Sequence, residues 1–127
     1  MHTGTPYHQL YQSIIDLDSK IRFVTIIDSD GRLVFGGQRE GVKNYLIPED
    51  QKKSLQSGKM WHIRNQFADF IGKGKYAMAE YERVKRYTIP LDDDYLLYIT
   101  TEPDLDHSSF VNNIFKLLTA HMIDQSS

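Results

Sequence analysis

Residues 21–37 read IRFVTIIDSDGRLVFGG, from Ile21 to Gly37. A run rich in β-branched residues ends in Asp28-Ser29-Asp30-Gly31, and a second apolar run, Leu33-Val34-Phe35, follows at once. Asp-Gly between two such runs is the strongest short-range signal for a β-hairpin, because Gly tolerates the positive φ of a tight turn. The strands are predicted over 23–27 and 32–37, with a loop over 38–44. The same acids begin a D-x-D-G string, but the later acids and the distal Glu of a calcium loop are missing, so turn chemistry is the reading.

Upstream, Tyr7, Leu10, Tyr11, Ile14, Leu17 and Ile21 recur at the spacing of one helical face. Thr5 as cap and Pro6 at the first helical position open a helix predicted over 6–19. Downstream, Pro48-Glu49-Asp50 opens a second helical segment, with its acids at the positive end of the dipole. That segment carries Leu55, Met60, Ile63, Phe67, Phe70 and Ile71, is expected to kink or break at Gly58, and ends at Gly72-Lys73-Gly74.

Residues 76–91 are strand-like, but no Gly or Asn marks a turn inside residues 80–86, so one or two strands fit. Asp92-Asp93-Asp94 is a hairpin loop, and 95–101 is a strand apolar on both faces, with Tyr95, Leu97 and Ile99 on one and Leu96 and Tyr98 on the other. Such a strand belongs at the centre of a covered sheet. Asp106 or Ser108 caps a last helix whose stripe is Phe110, Val111, Ile114, Leu117, Leu118, His121 and Met122. The order α-β-β-α-β-β-β-α predicts a three-layer α/β/α sandwich of α+β type with a five-stranded antiparallel sheet. The first and last helices share one face, and residues 48–72 cover the other. Residues 1–127 read as a single domain with its core over about 7–122.

Composition narrows the chemistry. With no cysteine among 127 residues there are no disulfides, thiolate zinc sites or cysteine nucleophiles. Apolar runs of four or five residues are far short of the roughly 20 that span a bilayer, and residues 1–6 lack the features of a signal peptide, so a cytoplasmic location without membrane contact is expected. Residues 1–86 hold 14 Lys/Arg against 10 Asp/Glu, whereas 87–127 hold one Lys against seven acids. That asymmetry can steer a charged partner, but a pI near 6.2 argues against a nucleic-acid surface. The five histidines have no pair at ligand spacing, Gly72-Lys73-Gly74-Lys75 lacks phosphate-loop spacing, and Ser108-Ser109 beside His107 forms no triad. No metal, cofactor or catalytic group is expected.

The element order, with residues 23–34 (FVTIIDSDGRLV) in the opening hairpin, resembles the Roadblock/LC7 family of profilin-like α/β/α domains. Residues 87–99 (YTIPLDDDYLLYI) look like that family's fourth and fifth strands. The layout is also similar to uncharacterised archaeal proteins of this size. The resemblance implies a non-enzymatic module that forms homodimers or heterodimers and serves as a platform or regulator for small GTPases, motor components or signalling complexes. It brings no catalytic residues.

Aromatics gather on the second helical segment and the strands beside it: Trp61, Phe67, Phe70, Tyr76, Tyr81, Tyr87, Tyr95 and Tyr98. Core packing accounts for such a set, and two functional readings stand beside it. In the first, Met60, Ile63, Arg64 and Phe67 on the helix, with Tyr76, Met78, Glu80 and Arg83 on a strand over 76–83, form a self-complementary dimer surface by sheet extension or helix packing. One basic residue facing an acid of the second subunit would fix its register. In the second, Trp61, Phe70 and Tyr98 line a pocket for a small apolar ligand between helix and sheet, as in a PAS-like or profilin-like sensor.

Overall fold

The computed structural model describes residues 6–28, 30–42, 66–92 and 94–126. Among them the order is α1 (Pro6–Ile15), β1 (Ile21–Asp28), β2 (Leu33–Gln38), α2 (Ala68–Ile71), β3 (Ala77–Glu80), β4 (Lys85–Pro90), β5 (Tyr95–Thr101) and α3 (His107–Ser126). The strands form one antiparallel sheet in the order β2-β1-β5-β4-β3. The α-β-β-α-β-β-β-α order and the five-stranded antiparallel sheet with flanking helices are those expected from the sequence.

The opening hairpin is built around one carboxylate. Asp28 Oδ1 accepts the amides of Asp30 and Arg32, each at 2.9 Å, and Asp28 O accepts the Gly31 amide at 3.0 Å. Gly31 takes φ +82°, the left-handed conformation that its place in the turn requires. These bonds, the Arg32 amide first, hold the Asp28 carboxyl below its ordinary pKa. A depressed carboxyl stabilises the fold above its unfolded value, about 3.9, and loses that contribution as pH falls through the lowered folded value. Asp28→Ala is therefore expected to lower the melting temperature at pH 7 and to differ less from the native chain below about pH 3. A gap that stays constant down that range would refute the account.

β5 lies at the middle of the sheet, paired with β1 on one side and β4 on the other. Its alternation splits the core. Leu97 and Ile99 join Val24, Ile26, Tyr87 and Ile89 beneath Leu10 and Ile14 of α1 and Phe110, Val111, Ile114 and Leu118 of α3. Leu96 and Tyr98 join Ile27, Phe23 and Ala77 on the opposite face. The two long helices share one face, as their stripes predict, and α3 starts where Asp106 Oδ2 accepts the Ser109 amide at 3.0 Å. The expected cover of the opposite face by residues 48–72, and the break at Gly58, fall largely or wholly outside the described residues.

Two boundaries differ from the sequence reading by more than two residues. α1 ends at Ile15 rather than at residue 19. The Leu17 amide bonds back three residues to Ile14 O, and Asp18 Oδ1 accepts the Lys20 amide at 2.8 Å, turning the chain into β1. The strand expected over 76–83 stops at Glu80, because the Tyr81 amide donates to Val84 O at 2.8 Å and closes a turn over residues 81–84. β3 and β4 are two strands, paired from Ala77↔Thr88 to Glu80↔Lys85.

Candidate protein-interaction surface

α2 is a single helical turn, and none of its residues is buried. The amides of Phe70 and Ile71 return to Phe67 O at 3.0 and 3.1 Å, and the Gly72 amide donates to Ala68 O at 2.8 Å, so the helix ends at the glycine that the sequence marks. Phe70 is 85% and Ile71 83% exposed, and Phe67 more than half. Single exposed apolar side chains are ordinary on a surface, but three within five residues are not.

Four residues, Gly72–Lys75, lead from α2 to Tyr76, whose ring meets Phe115 of α3 at 6.2 Å between centroids. β3 follows. Met78 is half-buried against the core, while Glu80 and Arg83 are exposed. Of the proposed dimer residues, the structure thus brings Met78 and Glu80 onto one edge strand with Tyr76 immediately before it, puts Arg83 in the turn beyond it and Phe67 at the start of α2. Met60, Ile63 and Arg64 lie outside the described residues.

The residues of the alternative pocket stand apart in environment. Tyr98 is 3% exposed; its ring meets Phe23 edge-on at 5.9 Å, and the Arg86 guanidinium lies 5.2 Å above it. Arg86 also covers the Tyr81 ring at 5.7 Å and donates to the Tyr81 hydroxyl at 3.1 Å. Phe70, by contrast, is 85% exposed. Trp61 is outside the described residues. A shallow apolar dimple between α1 and the sheet, lined by Leu10, Tyr11, Val24, Phe35 and Leu97, leaves no room for even a water molecule, where ligand pockets typically hold about 300–1,000 Å³.

The charged side chains that organise the molecule do so structurally. Arg22 pairs with Glu102, Lys85 Nζ donates to Leu105 O at 2.7 Å, and Lys20 meets Asp104 at 3.0 Å, all around one end of the central strands. The Lys20 hydrogen bond holds the Asp104 carboxyl below its ordinary pKa and raises that of the lysine. Sequence reasoning missed this set, because its members are far apart in the chain and carry no motif. Among the described residues no three His, Cys, Asp or Glu side chains converge as metal ligands, and no helix is long and apolar enough to cross a membrane.

No family model and no curated protein matches the sequence. Solved structures do match. The gliding protein MglB from Thermus thermophilus superposes with a TM-score of 0.72 at 14% identity, covering 95% of this chain and 90% of that one. Myxococcus xanthus MglB gives 0.72 at 12% identity over 99% of this chain and 100% of that one. The Roadblock/LC7 domain from Streptomyces avermitilis gives 0.68 at 8% identity over 94% and 97%. At such identities the likeness speaks for the arrangement of helices and strands, and it agrees with the resemblance carried by the opening hairpin and the last two strands: the chain has the Roadblock/LC7 fold.

Proposed function

We propose that this protein is a non-enzymatic interaction module that self-associates and serves in the cytoplasm as a platform or regulator for a small GTPase or another signalling protein. The observation that carries the reading is the exposed apolar run Phe67, Phe70, Ile71 and Tyr76 leading into an edge strand of the sheet. Large aromatic and aliphatic side chains beside an open strand edge are what a protein partner buries most favourably, and a second copy presents the same patch in return. Support comes also from the fold, since a solved MglB of this architecture is in a tetrameric arrangement. The GTPase or signalling partner rests on the family resemblance and on no residue of this chain.

Phe70→Asp tests the reading. Phe70 is almost wholly exposed, so the substitution is expected to leave the circular dichroism spectrum and the melt of the monomer unchanged. Placing a carboxylate in an apolar interface should weaken self-association by roughly 2 kcal/mol or more, about 30-fold in the dimer dissociation constant. Light scattering across micromolar concentrations reads the mass directly. A native chain that stays monomeric throughout, or a Phe70→Asp chain that dimerises as well as the native one, would remove this surface from the proposal.

A further inference from the structure

We infer that copies of the chain also join through β2, antiparallel, with Gly36 of each copy on the two-fold axis. This contact is separate from the surface proposed above and lies at the opposite edge of the sheet. Among the described residues β2 has β1 as its one strand neighbour, and its sequence, Leu33-Val34-Phe35-Gly36-Gly37-Gln38, holds no charge and no proline to blunt the edge. Leu33 is 51% and Val34 40% exposed, and neither belongs to the core.

The pairing of β2 with β1 shows which of its groups face outward. The Arg39 amide donates to Arg22 O, so Arg22–Arg39, Val24–Gly37 and Ile26–Phe35 are the pairs that bond to each other, and Thr25–Gly36 between them is not. In a pair of that second kind the amide and carbonyl point away from the neighbouring strand. Gly36 fits this geometry. At φ +103° a Cβ on it would run into Val24 O and Thr25 Cα, so its Cα is turned toward β1 and its amide and carbonyl outward. The register shift opposite Phe35 and Leu33 leaves Val34 as the extra residue of a bulge, and an outer ladder is regular over residues 34–38.

Symmetry and charge select the register. A two-fold axis perpendicular to the sheet leaves its faces unchanged, so opposed residues point to the same face, and Gly36 can oppose Val34, itself or Gln38. The first choice, centred on Phe35, sets two Phe35 rings against each other and brings Asp30 opposite Glu40, a like-charge pair. The third, centred on Gly37, puts the Glu40 carboxylate against Val34 and Phe35 against Arg39, whose guanidinium already donates to the carbonyls of Ile15, Asp18 and Ile21. Centring on Gly36 opposes Phe35 to Gly37, where a Cβ would meet nothing within 4 Å, so the ring has space. It also brings the exposed Arg32 to the exposed Glu40 of the second copy, twice over by symmetry. Of the three registers, only this one opposes unlike charges.

A ladder of this length is far smaller than a stable interface, so the contact is expected at roughly hundreds of micromolar, above the micromolar range of the first surface. The chain contains no cysteine, so introduced thiols report without background. Opposed residues in a pair such as Phe35 with Gly37 lie about 4.5 Å apart at Cα, within disulfide reach, whereas two copies of either residue are roughly 8 Å apart and beyond it. On mild oxidation, a mixture of Phe35→Cys and Gly37→Cys chains with tags of different length is expected to give the mixed covalent dimer. Each chain alone should cross-link on the order of tenfold less. Val34→Cys mixed with Gln38→Cys should behave alike, and keeps the test decisive where Phe35→Cys folds poorly. In light scattering, Glu40→Arg should raise the concentration at which the mass grows by about fivefold, and adding Arg32→Glu to the same chain should bring it back. Faster cross-linking of Phe35→Cys or Gly37→Cys alone, or a double swap that restores nothing, would overturn the register. No cross-link in either mixture would overturn the β2 contact and leave standing a micromolar dimer that Phe70→Asp dissociates. Cross-linking in the mixtures by a chain that is monomeric at micromolar concentration would uphold the β2 contact and remove the Phe70 surface.

Discussion

Gly36→Ala is expected to destabilise the protein by about 3–5 kcal/mol, whereas the same change one residue later should do no harm. Gly36 lies in β2 opposite Thr25, at φ +103°, a backbone conformation that L side chains rarely adopt. A Cβ built there would sit 2.2 Å from Val24 O and 3.0 Å from Thr25 Cα. Both obstacles are backbone of a central strand, where Val24 and Thr25 are 1% and 0% exposed, so neither can step aside as a flexible side chain would. A strained φ costs about 1–3 kcal/mol, and forcing bulk into a filled site costs about as much again. Against a typical total of about 5–15 kcal/mol, this variant should unfold at markedly lower urea concentration or fail to accumulate. Gly37 has a different environment: a Cβ there meets nothing within 4 Å, and no left-handed φ is involved. Gly37→Ala should be neutral or slightly stabilising, by up to about 1 kcal/mol, because it restricts the unfolded chain. Equal midpoints for the two variants would show that the close approach of β2 to β1 does not set stability.

That pair of glycines shows how far the sequence could be read. Gly36-Gly37 looks like strand punctuation, and nothing local separates a glycine pressed against a carbonyl from one facing open space. The features that were legible are governed by neighbours in sequence: Asp28 and Gly31 closing the hairpin, the stripe of α3, and the double apolar face of residues 95–99 that puts β5 in the middle of the sheet. The turn between β3 and β4 was not legible, because Tyr81, Glu82, Arg83 and Val84 include no residue with turn preference, and pairing with β4 imposes the reversal. The candidate surface was legible in part for the same reason. Helical spacing shows which residues share a face, but exposure depends on what packs against that face. Phe67 reads as core or interface and Phe70 as core or pocket lining, and spacing alone does not say that both are exposed. Tyr98, grouped by residue type with a pocket, is buried under Phe23 and Arg86, two neighbours that no spacing rule connects to it.

Arg39→Met is expected to cost about 3 kcal/mol, although the sequence offers no reason to single out this residue in what reads as a loop. Its guanidinium donates through Nε to Ile21 O at 2.6 Å and through Nη2 to Ile15 O at 2.6 Å and Asp18 O at 2.8 Å. Its own amide donates to Arg22 O at 2.7 Å. One side chain after β2 thus satisfies carbonyls at the end of α1, in the following turn and at the start of β1, and ties the helix to the sheet at the point where the hydrogen bonding of α1 runs out. Bonds from a charged donor are worth about 1.5–3 kcal/mol each, but three made by one half-buried group are not additive, and water can replace part of what is lost. Methionine keeps much of the aliphatic packing, so the loss would report on the fork of donors. Lysine, with a single ammonium in place of a planar fork, should restore only part of it. The exposed pair Lys20–Asp104 at the same end of the sheet gives the contrast: its side chains are 43% and 69% exposed, and Lys20→Ala should leave the melt unchanged within error. Hydrogen exchange sharpens the test, since losing the Arg39 donors should speed exchange at the Asp16 and Leu17 amides, which bond to the last turn of α1, before it affects β5. An Arg39→Met chain that melts with the native one, or that exchanges faster everywhere alike, would show that the helix end does not depend on this side chain.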